Sequence, residues 1–375
     1  MSNRNKGHLL RLTAALTAVL TAAALLTSCG RVGTSYTDQL EDVAAVSAQS
    51  DSTAKSNADG QNDGSPSGHP AGETAENAAS GSSSPEMDVE VVTDQSADSA
   101  GQGDSASKDQ AGKKLPRRET VRFDPSWEYA DYSKIHTDSV TLWHAQGTGR
   151  KDIIVAVNAG HGCAGGESEQ TQCHPDGSPK VTGGSTSSGA VTATAINGGM
   201  TFNDGTKEAA AVLSLARLLK DELLKNGYDV LMIRDNEDTQ LDNIARTVFA
   251  NNAADCHVSL HYDSTEGDKG FFYIRVPEVA SYRAMEPVAS HWEQHNALGE
   301  AILGGASRSG VRIFSGGSIA LDLTQTSYST VPSVDVEVGD KSSDHSEAAQ
   351  KPIAEGIAAG IDDYFSGSRI PFEAK

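Results

Sequence analysis

Residues 153–166 read IIVAVNAGHGCAGG, an apolar run that ends with one histidine between two glycines. Residues 153–157 are all apolar, which is typical of a strand that is buried on both faces of a parallel sheet. In open α/β sheets, ligands bind beyond the carboxyl ends of the strands, and His161 follows this strand closely. Gly160 and Gly162 allow a sharp turn of the backbone and a close approach of a substrate. The stretch therefore predicts a parallel sheet with a site at its edge.

Strands and helices alternate along residues 151–367. Four further strands are predicted: YDVLMIR from Tyr228, CHVSLHY from Cys256, FFYIRV from Phe271 and SVDVEV from Ser333. The predicted helices are residues 206–225, which Thr206 can cap, LDNIARTVFANNA from Leu241, a helix that includes residues 298–303, and KPIAEGIAAGIDDYF from Lys351. This alternation requires crossover connections. We therefore predict a single α/β domain that has a mostly parallel twisted sheet, helices on both faces and a site at the carboxyl ends of the strands.

Four polar residues interrupt this apolar pattern. His161 follows the first strand, and His261 lies at the end of the third. Glu337 lies inside the fifth strand between two valines, and Glu208 lies in the first turn of the first long helix. Parallel strands end at the same edge of a sheet, so we expect the three strand residues to meet there and the helix to bring Glu208 to them.

Each of these residues also has a purely structural interpretation. A single histidine at a strand end is usually a hydrogen-bonded surface residue, and Glu208 can simply favour the helix N-terminus through the helix dipole. Glu337 is harder to explain, because an ionised carboxylate among valines is costly unless it is paired or bound to a metal. Two imidazoles and one carboxylate are a common ligand set for a catalytic zinc, and a second carboxylate can act as general base. Together the four residues favour one zinc site in the domain.

Four segments resemble the signature regions of zinc-dependent N-acetylmuramoyl-L-alanine amidases. They are VNAGHG, KEAAAVLSLARLLKDELLKNGYDVLMIR, LDNIARTVFANNAADCHVSLH and VPSVDVEVGD. Their order and spacing match the family over residues 151–365. By this resemblance the protein is a hydrolase that cleaves the amide bond between N-acetylmuramic acid and L-alanine in peptidoglycan, for cell-wall remodelling or autolysis.

The resemblance assigns roles residue by residue. It makes His161, Glu208 and His261 the zinc ligands, and Glu337 the catalytic carboxylate. The helix residues Arg246 and Asn251 match a motif whose role is expected to be structural.

The chain departs from the family pattern in three places. Asn158 stands where the family often has aspartate, Tyr262 and Asp263 follow the second histidine, and Asp340 replaces an apolar residue after the catalytic glutamate. None of these changes removes a ligand, so they bear on substrate specificity rather than on the metal.

The segment at residues 162–205 has no strong periodicity and is mostly Gly, Ser and Thr. A long loop at an active edge is often a lid or a binding loop. It contains Cys163 and Cys173, which are predicted to form a disulfide outside the cell; a metal contact of Cys163 is the alternative. Cys256 lies in a strand and is predicted to be a buried free thiol.

The N-terminal region is typical of targeting and spacer segments. Basic residues precede an uncharged stretch at 12–26, which is shorter than the roughly 20 apolar residues of a membrane span, so residues 1–28 are predicted to be a signal peptide. The small residues before Cys29 resemble a bacterial lipobox, by which Cys29 becomes the lipid-modified first residue of the mature protein. An ordinary signal peptide with an incidental cysteine is the alternative. Residues 29–118 are rich in Ser, Ala, Gly and acidic residues, which predicts a disordered linker.

The domain organisation follows from these assignments. We expect residues 119–150 to form a lead-in segment that packs on the catalytic domain at 151–367, and residues 368–375 to form a tail. The lipid at Cys29 would anchor this domain outside the cytoplasmic membrane, facing the cell wall.

Charge limits the partners of the chain. The net charge is −21 at pH 7, and residues 119–375 contain 36 Asp and Glu against 20 Lys and Arg. An acidic surface argues against nucleic acid and against docking on anionic lipid. We expect peptidoglycan as the substrate, and the sequence does not identify an activator protein. Two other functions stay open: a different zinc peptidase that acts on stem peptides, and a non-catalytic lipoprotein that binds the cell wall.

Overall fold

The computed structural model describes residues 117–367 and the backbone of a short strand at Val89–Glu90. The predicted signal peptide, Cys29, nearly all of the predicted linker and the 368–375 tail lie outside the described residues. Within the described part of the chain, no helix is both long enough and apolar enough to cross a membrane.

Nine of the described strands form one sheet. Numbered along the chain and given in spatial order, they are β1 (Val89–Glu90), β2 (Arg118–Val121), β3 (Val140–Trp143), β7 (Asp229–Met232), β4 (Ile154–Ala159), β8 (Cys256–Asp263), β11 (Ser333–Asp340), β9 (Phe271–Arg275) and β10 (Ile313–Ala320). Two short strands, β5 (Gln170–Gln172) and β6 (Thr192–Thr194), pair separately within the long loop.

The four central strands, β7, β4, β8 and β11, run parallel to one another. Their carboxyl ends therefore lie at one edge of the sheet. On one side of these strands, β3 is antiparallel to β7. On the other side, β9 is antiparallel to β11, and β10 is parallel to β9. The predicted α/β domain with a mostly parallel sheet is confirmed, and three of the predicted site residues lie in or shortly after the central parallel strands.

Helices cover both faces of the sheet, as predicted. They are α1 (Glu208–Lys225), α2 (Asn243–Ala253), α3 (Ala280–Arg283), α4 (Val288–Arg308), α5 (Thr324–Tyr328) and α6 (Glu347–Ser366). Leu215 of α1, Leu298 of α4 and Ile357 of α6 belong to the large apolar core on one face. On the other face, Phe249 of α2 packs in a second core that includes Leu231 of β7. The sheet is thus the middle layer of three.

Three local features differ from the sequence prediction. The lead-in segment contributes β2 and β3 to the sheet itself, rather than only packing against the domain. In the predicted linker, Val89–Glu90 pairs with β2, because a short extended segment can add to an open sheet edge. Helix α1 begins at Glu208 rather than at Thr206, and Lys207 occupies the N-cap position without a side-chain capping hydrogen bond.

Candidate active site

The structure brings together His161, Glu208 and His261, which lie far apart in the sequence. His161 lies in the loop that follows β4, Glu208 is the first residue of α1, and His261 lies near the carboxyl end of β8. One nitrogen or oxygen atom of each side chain lies within 4.8 Å of the others. The cluster occupies the predicted edge of the sheet, and its two imidazoles and one carboxylate could hold a metal ion.

The ligand-type atoms of the three side chains point at one another. His161 Nε2 lies 2.8 Å from Glu208 Oε1 and 2.9 Å from His261 Nδ1, which itself lies 3.2 Å from the same oxygen. On its other side, His161 Nδ1 donates a hydrogen bond of 2.9 Å to the carbonyl oxygen of Asn197. Because a carbonyl can only accept, a neutral His161 presents the lone pair of Nε2 to the cluster. The lone pair of His161 Nε2 and the Glu208 carboxylate oxygen therefore converge on one point, an arrangement that a cation stabilises.

Backbone amides fix the carboxylate of Glu208. Met200 N donates to Glu208 Oε2 at 2.8 Å, and Tyr262 N donates to Oε1 at 3.0 Å. The Glu208 residue is only 3% exposed. Because Tyr262 directly follows His261 in β8, the strand that supplies one member of the cluster also positions another.

The glycines near His161 are explained by packing inside the protein. A Cβ atom on Gly160 would lie 2.2 Å from the ring of His261, and one on Gly199 would lie 2.7 Å from the ring of His161. The close approach expected at Gly160 is thus made by the protein's own imidazole. His161 has φ 63°, and a non-glycine residue in this left-handed region stores roughly 1–3 kcal/mol of strain, which is found mainly at functional sites.

Two buried arginines hold the loop that carries His161. Arg246 donates to Oδ1 of Asn158 and to the carbonyl oxygens of Ala159 and His161 at 2.7 to 3.1 Å. Arg234 donates to the Ala159 carbonyl at 3.0 Å and to that of the next residue at 2.9 Å. The structural role implied for Arg246 is therefore the support of this loop. Arg234 was not singled out from the sequence, because it simply ends a strand-like run.

Asn251, the second residue of that helix motif, ties α2 to the last residue of α5 and to the chain after it. Its Nδ2 donates to the carbonyl oxygen of Tyr328, and its Oδ1 accepts from the amide of Thr330. The contact lies on the face of the sheet that α2 covers, so Asn251 supports the packing of that face.

Electrostatic interactions keep the cluster charged. Burial alone would raise the pKa of Glu208, but the imidazoles of His161 and His261 outweigh it and hold that pKa far below its usual value. Burial would lower the pKa of His261, but the carboxylates of Asp335, Glu208 and Glu337 outweigh it and raise the pKa to about 10. A proton therefore competes with a metal ion for these side chains, and metal binding would release it.

Glu337 lies directly beside His261 in the register of the parallel strands β11 and β8. Its Oε2 atom is buried and has no hydrogen-bond partner among the described residues. Burial raises the pKa of Glu337 well above its usual value; the imidazole of His261 acts against this rise, and the carboxylate of Asp335 adds to it. A buried carboxylate with an unpaired oxygen and a raised pKa is suited to take up a proton and return it.

Asp335 is a site residue that the sequence reasoning missed. It lies two residues before Glu337, on the same face of β11, and its Oδ2 atom lies 3.6 Å from His261 Nε2. The signal was present in the run SVDVEV, where two acidic residues alternate with valines. The strand period of two places both carboxylates on the face that carries His261.

Two of the departures from the family pattern have local structural partners. Asp340 is fully buried and accepts hydrogen bonds from the amides of Lys269 and Ser342, so it stabilises the turn after β11. Asp263 pairs with the Lys269 ammonium group at 2.5 Å. Asp340 is therefore engaged in holding the backbone.

The long loop between β4 and α1 is anchored by Asp322. This fully buried carboxylate accepts hydrogen bonds from the amides of Val181 and Thr182 and from the ammonium group of Lys180, and it lies 3.1 Å from Nε2 of His174. Buried ionic contacts therefore attach the middle of the loop to the segment before α5.

Cys163 and Cys173 are free cysteines in the structure, contrary to the predicted disulfide. The charge with the largest effect on Cys163 is that of Arg246 of α2, whereas Lys180 and then Asp322 act on the buried Cys173. Strand β5 and a turn of 3-10 helix lie between them in the chain, so the two thiols belong to different surroundings. Cys163 is not part of the metal-type cluster. The prediction that Cys256 is a buried free thiol is confirmed.

Comparison with known proteins adds a family match. The sequence model of the N-acetylmuramoyl-L-alanine amidases matches residues 155–363, a range that contains the whole cluster and Glu337. No curated protein matches the chain.

Similar solved structures include three bacterial amidases. The N-acetylmuramyl-L-alanine amidase Ami1 from Mycobacterium smegmatis has 18% identity and a TM-score of 0.48, over 59% of this chain and 100% of that one. The apo form of Ami1 from Mycobacterium abscessus has 21% identity and a TM-score of 0.46, over 57% and 99%. An N-acetylmuramoyl-L-alanine amidase from Clostridium difficile 630 has 17% identity and a TM-score of 0.42, over 59% and 100%.

Proposed function

Because this chain belongs to the N-acetylmuramoyl-L-alanine amidase family, we propose that it hydrolyses the amide bond between N-acetylmuramic acid and L-alanine in peptidoglycan. The observation that carries this proposal is the convergence of His161, Glu208 and His261 beside Glu337 at one edge of the sheet. A metal-type cluster next to a buried carboxylate with an unpaired oxygen provides the two elements of metal-assisted hydrolysis.

The donor set of this cluster fits a zinc ion. Two imidazole nitrogens and one carboxylate oxygen are a common set of protein ligands in catalytic zinc sites, which keep a fourth position open. The separations of 2.8 to 3.2 Å between the donor atoms are close to the roughly 3.3 Å expected in a tetrahedral site with bonds of about 2.0 Å. The hydrogen bond from His161 Nδ1 to a backbone carbonyl is the outer contact typical of metal-ligating histidines.

The reaction then divides between the cluster and Glu337. The chemistry that zinc supplies when bound to such a set is polarisation of the scissile carbonyl and a lowered pKa of a water molecule. Glu337 accepts the proton of the attacking water and returns it to the nitrogen of the leaving alanine. Its raised pKa suits both transfers, because the carboxyl group must hold a proton between them.

The sequence also supports an anchored position outside the cytoplasmic membrane. A basic start, a short uncharged stretch and small residues before Cys29 favour export followed by lipid modification at that cysteine. Replacement of Cys29 by alanine should release the protein from the membrane fraction, and the mature wild-type N-terminus should carry lipid in a mass spectrum. A variant that stays membrane-bound would contradict the anchor.

Digestion of purified peptidoglycan tests the enzymatic proposal. The protein should release intact stem peptides with a free L-alanine amino group, and a chelator should abolish this release until zinc is added back. Glu337→Gln should keep its zinc but lose roughly 10²- to 10⁴-fold in activity, because the amide cannot move the proton. His161→Ala should lose zinc as well as activity. Folding of each variant is checked by circular dichroism, and zinc by elemental analysis.

Other outcomes identify the alternatives. Release of single amino acids from the stem peptides would indicate a zinc peptidase instead. Binding to peptidoglycan without any product, together with no bound metal, would indicate a non-catalytic protein. Loss of zinc in Glu337→Gln would make Glu337 a ligand and overturn the assignment of roles.

A further inference from the structure

The imidazole of His261 lies between two acidic groups. Its Nδ1 atom is turned toward Glu208 at 3.2 Å, and its Nε2 atom is turned toward Asp335 at 3.6 Å. The side chains of His261 and Asp335 are only 20% and 14% exposed. Each nitrogen of this ring therefore faces a different carboxylate in a largely buried space.

The position of Asp335 is set by the sheet and not by a mobile loop. Strands β8 and β11 are paired in register, with Asp335 opposite Ser259 and Glu337 opposite His261. Because side chains two residues apart share a face, Asp335 stands behind the His261 ring while Glu337 stands beside it. Two carboxylates on one strand face repel each other when both are charged. A second acidic residue here costs stability unless it acts on the neighbouring imidazole.

A hydrogen-bonded carboxylate selects one tautomer of a histidine. A proton on Nε2 that faces Asp335 leaves the lone pair on Nδ1, which is the atom turned toward His161 and Glu208. The present distance of 3.6 Å is beyond that of a hydrogen bond. Catalytic hydrogen bonds are often long in the absence of ligands and shorten in the complex, and a small rotation of either side chain closes this gap.

We propose that Asp335 is a positioning residue, which holds the His261 ring with Nδ1 facing the cluster. This orientation increases the affinity of the cluster for a metal ion. This inference rests on the proposed metal centre. It gives the three ligand-type residues matched supports: a backbone carbonyl for His161, two backbone amides for Glu208 and a carboxylate for His261.

The test is the zinc affinity of the purified protein, measured by competition with a chromophoric chelator. Asp335→Ala should lower the affinity by about 10- to 100-fold, the range found when the outer partner of a ligating histidine is removed. Asp335→Asn should lower it by a smaller factor, because its amide oxygen can still accept from Nε2. Nitrogen-15 NMR of the zinc-loaded protein should show the His261 Nε2–H signal protected from exchange in the wild type and exchanging freely in Asp335→Ala.

Asp263→Asn is the matched control. This residue lies two positions after His261 on the same strand, and it is paired with Lys269 rather than with the cluster. The variant removes the same unit of negative charge near the site, so its zinc affinity should stay close to that of the wild type. An equal loss in Asp263→Asn and Asp335→Ala would overturn the inference, because a general charge effect would then explain both.

The remaining outcomes separate the inference from the proposed function. A wild-type protein that binds no zinc overturns the metal centre itself. A wild-type protein that binds zinc, together with Asp335 variants of equal affinity, overturns only the role of Asp335. If Asp335→Ala does not fold, the zinc affinity of the nearly isosteric Asp335→Asn is used instead. A wild-type affinity in that variant overturns the positioning role of Asp335.

Discussion

Gly160 lies against the imidazole of His261, and this contact ties the sequence of the first loop to the geometry of the third central strand. The contact leaves no room for a methyl group, since a Cβ would lie 2.2 Å from the ring. Both Gly160 and the next residue are held by arginine hydrogen bonds to the loop's carbonyl groups. The backbone therefore has little freedom to move away, and any side chain at this position must displace the imidazole.

Gly160→Ala should consequently lose metal binding and peptidoglycan hydrolysis together. Zinc affinity should fall at least about 10-fold, the smallest loss found when only the outer partner of a ligand is removed, and chelator competition measures it. Gly183→Ala is the control, because that loop glycine has open space around the position of a Cβ and no positive φ. A Gly160→Ala protein with wild-type zinc affinity would show that the ring accommodates the methyl group.

At the scale of residues, the sequence predicted the members of the cluster better than their supports. His161, Glu208 and His261 stand out because they are polar residues at the ends of apolar elements. Asp335 and Arg234 do not stand out, because a carboxylate in an alternating strand and an arginine at a strand end are common. Their importance comes from contacts across the sheet, which no local pattern encodes.

At the scale of elements, Asp322 connects the long loop to the segment before α5. The amide of Val181 donates a hydrogen bond to it at 2.6 Å. Burial alone would raise the pKa of Asp322, but His174, Lys180 and Thr182 outweigh this effect and hold that pKa far below its usual value. A depressed carboxylate pKa stabilises the fold above the unfolded value of about 3.9 and loses this contribution as the pH falls below it. The anchor of the loop should therefore weaken as the pH falls below about 3.9.

Asp322→Ala should destabilise the protein by roughly 3–5 kcal/mol, the cost of leaving a buried partner charge uncompensated. Denaturant unfolding measures this change, and hydrogen exchange should show the amides of Val181 and Thr182 losing protection before the central strands. Asp176→Ala is the control, since this exposed residue of the same loop bonds only locally, to Ser178. Its effect should stay within about 0.5 kcal/mol. Equal effects of the two substitutions would refute the anchor.

The lead-in strands β2 and β3 yield a prediction about domain boundaries. They cover β7 and bury Val121, Val140 and Leu142 in the second core. Each such side chain contributes roughly 1.5–3 kcal/mol when buried, and the total stability of a domain is only about 5–15 kcal/mol. A chain that begins at Lys151 should therefore aggregate or lack cooperative thermal unfolding, whereas one that begins at Arg117 should unfold cooperatively. A stable shorter chain would show that the two strands are dispensable.

The sequence predicted the long helices and the apolar strands, because their periodicity extends over many residues. It missed β2, β3 and β10. The first two have four residues each, too few for a periodic signal, and β10 contains Gly316 and Gly317 at a register shift. Such edge strands are stabilised by pairing with their neighbours rather than by their own composition.

At the scale of the whole molecule, two buried histidines contribute to the response to acid. Burial is the main cause that lowers the pKa of both His257 and His295 to about 3. The unfolded chain, with a histidine pKa of about 6.5, takes up these protons first as the pH falls. The contribution of these two histidines to stability is therefore complete above pH 6.5 and declines toward pH 3, by up to about 1.4 kcal/mol per pH unit for each residue.

His257→Leu should reduce the slope of the free energy of unfolding against pH by the contribution of one histidine. Both ring nitrogens of His257 lack hydrogen-bond partners among the described residues, so an apolar side chain removes no contact there. Denaturant unfolding at several values between about pH 4 and pH 6 gives the slope. His136→Leu is the comparison, because it makes the same substitution at a half-buried histidine, which stacks on Phe123. An unaltered slope in His257→Leu would place the acid response elsewhere.

The backbone contacts to Glu208 and His161 have a consequence for maturation. Amides of Met200 and Tyr262 and the carbonyl of Asn197 orient these side chains through ordinary main-chain hydrogen bonds. The scaffold can thus assemble first, and the ion can enter afterwards as a late addition. On the proposed function, the supply of metal to the folded chain, and not folding itself, would then decide when hydrolysis begins.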